Sequence, residues 1–164
     1  MNIRGSKRGA SDAPQTSSKA VGFPVGKLLV SSAALLPAVG TFMADWNTTH
    51  VYNPTWPPHA KFHNAQTITL AVEAAGLSLW QLWGPGQESL SRLRWATLCA
   101  GLFWLTQAPA IFFPGTAFVD PDNLTQPTSL AGIPINQVTA LAAILLPLLA
   151  AGYAMEARRL RRAS

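Results

Sequence analysis

The sequence is poor in charge and in cysteine. Only 12% of its 164 residues are charged, whereas ordinary soluble domains carry about 25%, so a soluble domain is disfavoured. The hydrophobic content of 49% is far too high for disorder over the whole length. The single cysteine, Cys99, excludes an internal disulfide, a CxxC redox pair and a cysteine-based zinc site. The composition therefore indicates a small membrane protein of one domain.

Four apolar stretches predict the fold. They cover residues 28–44, 65–83, 95–113 and 138–155, with lengths of 17, 19, 19 and 18 residues. A helix that crosses the hydrocarbon layer needs about 20 residues, with a range of roughly 17–25. We therefore expect an all-α fold, a four-transmembrane-helix bundle over residues 24–157. Core helices of a soluble protein are the weaker alternative.

Lysine and arginine set the predicted orientation. Eleven of the twelve basic residues precede the first stretch, separate the second from the third, or follow the fourth. The other is Lys61. By the positive-inside rule both termini then lie in the cytoplasm, with a flexible basic tail at 1–23 and a basic tail at 158–164. The basic balance follows from this topology, so no nucleic-acid partner is expected.

Two N-x-T glycosylation sequons, in which x is not proline, bear on the compartment. They begin at Asn47 and Asn123, and both fall on the predicted outer side of the membrane. This agreement favours a multi-pass glycoprotein of the endoplasmic reticulum or another endomembrane in a eukaryote. In a bacterium the same topology would place the chain in the inner membrane.

Residues 45–67 concentrate the side chains that can carry chemistry. They include all three histidines of the chain, His50, His59 and His63. One interpretation is a transition-metal site built from the three imidazoles. A second is proton transfer or substrate hydrogen bonding by neutral imidazoles. A third is a structural role at the start of a helix. The H-x3-H spacing is a weak motif, so all three stay open.

The prolines at 57 and 58 predict the start of a helix that continues into the second span. At about 100° per residue, His59, His63, Gln66 and Glu73 share one face of this helix. Glu73 lies about 12 Å below the start of the apolar stretch at 1.5 Å per residue, close to the bilayer midplane. A carboxylate there costs roughly 2.5–3.5 kcal/mol. We therefore expect Glu73 to face the bundle interior and to be neutral or paired.

These residues predict a site that opens toward the outer face, lined by the second, third and fourth spans and covered by the first loop. The residues expected to carry acid/base chemistry are His59, His63, Glu73, Asp45 and His50. The residues expected to bind substrate are Gln66, Gln107, Trp56 and Trp104.

The run D-W-N-T-T-H-V-Y-N-P-T-W-P-P-H-A-K-F-H-N-A-Q-T resembles the signature of an uncharacterised family of small four-span membrane proteins in fungi and bacteria. That resemblance implies a four-span fold but no settled activity. In size and span number the chain is also similar to the emopamil-binding sterol isomerases and to the fungal anthrone oxygenases. The sterol isomerase motif does not align, so this second likeness implies only a lipophilic substrate.

The expected function is that of a membrane enzyme acting on a lipophilic small molecule, such as an isoprenoid or polyketide intermediate of secondary metabolism. Its reaction would be isomerisation, cyclisation or epoxide chemistry driven by proton transfer, or an oxidation. Two alternatives are a non-catalytic anchor or accessory subunit of a biosynthetic enzyme, and a small transporter. The expected partners are the lipid bilayer, the substrate, and a partner enzyme or a second copy of the chain. No cofactor is assigned.

Overall fold

The computed structural model describes residues 23–118, 129–130, 133–134 and 137–163. They form four helices and one short antiparallel strand pair: α1 (Val25–Asp45), α2 (Pro58–Trp83), α3 (Leu90–Ala110), β1 (Ser129–Leu130), β2 (Ile133–Pro134) and α4 (Gln137–Ala163). The predicted all-helical class with four helices is confirmed. The N-terminal tail, apart from residue 23, lies outside the described residues, and α4 continues through most of the predicted C-terminal tail.

Two of the helices start where their local sequence favours a start. α2 begins at Pro58, as the proline pair predicts, because a proline in the first turn sacrifices no helical hydrogen bond. α3 begins after Ser89, whose side chain accepts a hydrogen bond from the backbone N–H of Arg92. Two segments, α1 and Thr139–Ala163 of α4, are long and apolar enough to cross a membrane.

The interior of the bundle is built from small side chains. Seven of the eleven residues in the buried core are alanine. Most of the large apolar side chains among the described residues lie on the outside of the helices, among them Leu36, Met43, Leu77, Trp80, Trp95 and Ile144. This distribution is the reverse of that in a soluble bundle, whose core is filled by leucine, isoleucine and phenylalanine.

α1 packs against both α2 and α4, and its contact with α4 is very close. A Cβ atom placed on Gly26 would lie 2.5 Å from the backbone nitrogen of Glu156 and 2.6 Å from the carbonyl oxygen of Gly152. A Cβ atom on Gly152 would lie 2.9 Å from the Cβ of Leu29. The two glycines therefore let the two helix backbones approach each other directly, as small residues do between membrane helices.

Four charged residues join three elements at one end of the bundle. Lys27 of α1 and Arg159 of α4 both donate hydrogen bonds to the carboxylate of Glu88, which lies between α2 and α3. Arg159 also donates from Nε to Oε1 of Glu156, at 2.9 Å. Lys27 and Glu156 are buried, so these pairings offset the cost of taking the charges out of water. The start of α1, the α2–α3 turn and the end of α4 therefore lie together.

Glu88 stays ionised because of its two partners. Partial burial raises its pKa, but the hydrogen bonds from Lys27 and Arg159 outweigh burial. The pKa of the Glu88 carboxyl therefore lies below its ordinary value. The network is thus intact at neutral pH.

A single arginine satisfies the carbonyl groups at the end of α2. The last carbonyls of a helix have no partner within it. Arg92 donates hydrogen bonds of 2.8–3.0 Å to the carbonyl oxygens of Trp80, Gln81, Gly84 and Pro85. This side chain fixes the turn between α2 and α3, so these two helices form an antiparallel hairpin.

Candidate functional site

A cavity of about 640 Å³ lies at the end of the bundle opposite the Glu88 network. All four helices and the loop between α1 and α2 contribute to its lining. Its volume falls in the range of about 300–1,000 Å³ that small-molecule sites occupy. Its walls are mostly aliphatic and aromatic: Leu36, Pro37, Ala44, Trp56, Phe103, Trp104, Phe118, Leu141 and Leu145. Its polar members are Thr41, Asp45, Thr49, His50, Thr67 and Gln107.

The α1–α2 loop is held by two turns of the same kind. Oδ1 of Asn47 accepts hydrogen bonds from the backbone N–H and the hydroxyl of Thr49, at 2.8 and 2.6 Å. Oδ1 of Asn53 accepts the same pair from Thr55, at 2.9 and 2.8 Å. The N-x-T pattern therefore has a structural reason here, because an asparagine and the threonine two residues later close a turn. Glycosylation of Asn47 stays a prediction.

His50 and Asp45 bring two polar atoms together at the cavity. Asp45 is the last residue of α1, and its Oδ1 lies 3.9 Å from Nε2 of His50. The other ring nitrogen, Nδ1, lies 2.8 Å from the hydroxyl of Thr49. That hydroxyl already donates its proton to the Asn47 carbonyl, whose amide group in turn donates to the end of α1. The hydroxyl must therefore accept from Nδ1–H of His50.

This hydrogen-bond chain assigns the proton on the imidazole. With its proton on Nδ1, neutral His50 presents a bare Nε2 toward the carboxylate of Asp45. Two acceptors then face each other, an arrangement that suits either a proton on Nε2 or a donor group placed between them. The bare Nε2 of His50 can therefore accept a proton from a group placed beside Asp45.

α3 supplies a donor and an acceptor to the same cavity. The indole Nε1 of Trp104 and Oε1 of Gln107 are both buried without a hydrogen-bond partner among the described residues. Leaving such groups unpaired costs about 1–3 kcal/mol each. The two residues are three positions apart and so lie on one side of α3. Both residues line the cavity, but neighbouring protein atoms cover these two groups, so a ligand carbonyl or hydroxyl can pair with them only if the side chains move.

Four of the predicted site residues lie outside this cavity. His59, His63, Gln66 and Glu73 share one face of α2 as predicted, but all four are exposed. Nε2 of His59 lies 3.1 Å from Nε2 of His63, and Nδ1 of His63 lies 3.2 Å from Oε1 of Gln66. The expectation that this face turns toward the bundle interior, and Glu73 with it, is wrong. The catalytic roles given to these residues stay predictions.

The physical reason lies on the opposite face of α2. Ile68, Ala71, Ala75 and Ser78 are buried there, at the spacing of one helical stripe. Small side chains let neighbouring backbones approach, and this determines which face packs. The polar face of α2 allows no such close contact between backbones, so it lies on the outside of the bundle.

The structure separates the three histidines that a shared metal site would need. His50 lines the cavity, whereas His59 and His63 lie on the outer face of α2. Among the described residues, no three histidine, cysteine, aspartate or glutamate side chains are grouped closely enough to hold a metal ion. Five predicted site residues do line the cavity: Asp45, His50, Trp56, Trp104 and Gln107. The predicted glycosylation site at Asn123 lies outside the described residues.

Fold and site together define an all-helical protein of four helices around a mostly apolar cavity with convergent polar groups. The chain belongs to a family of unknown function (DUF6640), which matches residues 29–164. Neither a curated protein nor a solved structure matches the chain.

Proposed function

We propose that this is an integral membrane protein whose four helices all cross the bilayer, with both termini in the cytoplasm. The placement of small side chains inside and many large apolar ones outside supports this, because lipid solvates an apolar outer surface as well as a core would. The exposed Glu73 on α2 opposes it by roughly 2.5–3.5 kcal/mol. The charge pattern agrees with it. At the end that carries the Glu88 network, basic residues are concentrated: Lys27, Arg92, Arg94, Arg158, Arg159, Arg161 and Arg162. Among the described residues near the opposite end, the only basic one is Lys61.

The cavity is proposed to bind a lipophilic small molecule, of the isoprenoid or polyketide class, that carries at least one polar oxygen. The observation that carries this proposal is the combination of apolar walls with the Asp45–His50 pair and the unpartnered Trp104 and Gln107 groups. Sites for small molecules commonly have this composition, since the walls provide affinity and a few polar groups fix orientation.

The reaction we propose is a proton transfer that isomerises or cyclises the substrate. Nε2 of His50 removes a proton from a carbon next to the polar group, and Asp45 stabilises the imidazolium that forms. Trp104 donates to the substrate oxygen, where negative charge develops when the C–H bond breaks. The imidazolium then returns the proton to another carbon, so a double bond shifts and no electrons are gained or lost.

Replacement of each proposed or rejected acid/base group by an amide side chain tests this assignment. A strain that lacks the protein is complemented with wild type, Asp45→Asn, His50→Gln or Glu73→Gln, and its lipophilic metabolites are profiled by mass spectrometry. Asp45→Asn and His50→Gln should accumulate the precursor at wild-type protein levels, whereas Glu73→Gln should behave as wild type. Loss of product with Glu73→Gln alone would contradict the cavity assignment. Full turnover with both cavity variants would favour an accessory-subunit or transport role.

An occlusion experiment tests the binding site itself. Gly40 lines the cavity, and a Cβ atom there would meet nothing within 4 Å. Gly40→Phe should therefore place a ring in the cavity and lower turnover, because its Cβ displaces no neighbouring atom. Gly76→Phe is the matched control, since Gly76 is also open but lies on α2 outside the cavity. Unchanged turnover in Gly40→Phe would refute the proposal that this cavity holds the substrate.

A further inference from the structure

The outer face of α2 carries a histidine pair that the cavity does not use. His59 and His63 are one helical turn apart in the first two turns of α2, and both are exposed. Their Nε2 atoms point toward each other at 3.1 Å. Lys61 lies two residues from each, so it does not face them. The pair is therefore open to solutes, and the positive charge of Lys61 does not lie on its face of the helix.

The separation of the two nitrogens matches that of two ligands on one metal ion. Zinc binds imidazole nitrogen at about 2.0–2.1 Å in a tetrahedral arrangement, which sets neighbouring nitrogens about 3.3 Å apart. The observed 3.1 Å is close to this edge length. A direct N–H···N hydrogen bond between the rings also allows such a distance, so the test must separate the two.

Gln66 supplies the second observation. Its Oε1 accepts from Nδ1 of His63 at 3.2 Å, since an amide oxygen can only accept. That bond places the proton of His63 on Nδ1 and leaves the lone pair of Nε2 facing His59. Metal-binding histidines commonly have such a carbonyl partner on the second nitrogen, which fixes the tautomer and the ring orientation.

The geometry points to a two-histidine site, formed by His59 and His63 and oriented by Gln66, for a divalent transition-metal ion of the zinc type. Imidazole suits zinc, copper and nickel, whereas magnesium prefers oxygen ligands. Among the described residues no third histidine, cysteine, aspartate or glutamate joins the pair, so water or an external ligand completes the coordination. The site does not depend on the cavity or on its reaction.

The test is zinc titration of the full chain, purified in detergent with a tag free of histidine and stripped with a chelator. Wild type should bind one Zn²⁺ per chain, and His59→Ala or His63→Ala should each abolish stoichiometric binding. Gln66→Ala should weaken binding about 10–100-fold, as loss of a partner behind a metal ligand does. His50→Ala is the matched control and should bind zinc as wild type does. Mg²⁺ should not compete.

Two results would overturn the proposal: no zinc binding by wild type, or stoichiometric binding that survives in either His59→Ala or His63→Ala. If wild type binds no zinc, a hydrogen bond between His59 and His63 is sufficient to explain why their rings are close. Where a variant fails to fold, X-ray absorption of zinc-loaded wild type decides, because it counts imidazole ligands without any substitution. Two imidazoles are expected, and none or three would refute the site.

Discussion

A single methyl group added at Gly26 tests the contact between α1 and α4. In Gly26→Ala the new Cβ would lie 2.5 Å from the nitrogen of Glu156, 2.6 Å from its Cβ and 2.6 Å from the oxygen of Gly152. Comfortable contacts between non-bonded heavy atoms lie near 3.5–4.0 Å. The two helices must therefore separate by about 1 Å, since backbone atoms cannot rotate out of the way as a side chain does.

The magnitude follows from two opposing contributions. Overpacking costs about 1–3 kcal/mol, and contact with backbone places Gly26→Ala near the upper end of that range. Alanine in place of glycine within a helix returns about 1 kcal/mol. We expect a net loss of about 2 kcal/mol in the free energy of unfolding. For a chain of this size that lowers the melting temperature by about 4–8 °C.

The assay is thermal unfolding of the purified protein, followed by circular dichroism in one detergent. Gly76→Ala is the control, because a Cβ there meets nothing within 4 Å and only the gain in helix propensity remains. We expect Gly76→Ala to melt at or above the wild-type temperature. If the two alanine variants were equally stable, the close approach of α1 and α4 would be refuted.

Three further predictions concern the charged and capping residues at this same end of the bundle and the topology. The depressed pKa of Glu88 means that its contribution to stability is present above the ordinary pKa and is lost as pH falls through the folded value. Glu88→Gln should therefore flatten the acid limb of the melting temperature against pH; an unchanged slope would contradict the network. Arg92→Lys cannot bridge four carbonyls and should lose about 1–3 kcal/mol in thermal unfolding, whereas exposed Arg94→Lys should lose almost nothing. In a cysteine-free background, an impermeant maleimide added to sealed membrane vesicles whose cytoplasmic face is outward should label Gln87→Cys and spare Thr48→Cys until detergent is added; the reverse labelling would invert the proposed topology.

The sequence predicts the helices well because apolar length and helix-start signals are local. The proline pair at 57–58 places the start of α2 within one residue, and four apolar stretches give four helices. The orientation of α2 could not be obtained by following its polar residues. The usable signal was the stripe of small residues at Ala71, Ala75 and Ser78, which marks the packed face.

The site was only partly predictable, for a similar reason. Asp45, His50 and Trp56 belong to one loop and its helix end, so their proximity follows from short sequence separation. Trp104 and Gln107 join them because α3 returns to the same end of the bundle. The proton assignment on His50 depends on a chain of hydrogen bonds through a threonine and an asparagine. Composition and spacing do not predict that series of hydrogen bonds, although the repeated N-x-T pattern is typical of such turns.

The placement of small residues inside and large ones outside governs which changes this sequence can accumulate. At a lipid-facing position such as Leu77 or Ile144, any bulky apolar side chain serves, because acyl chains adapt to its shape. At Ala33 or Ala96 the permitted volume is close to that of a single methyl group, because the neighbouring backbone occupies the rest. Homologues can therefore diverge widely in their most hydrophobic residues and still share one fold.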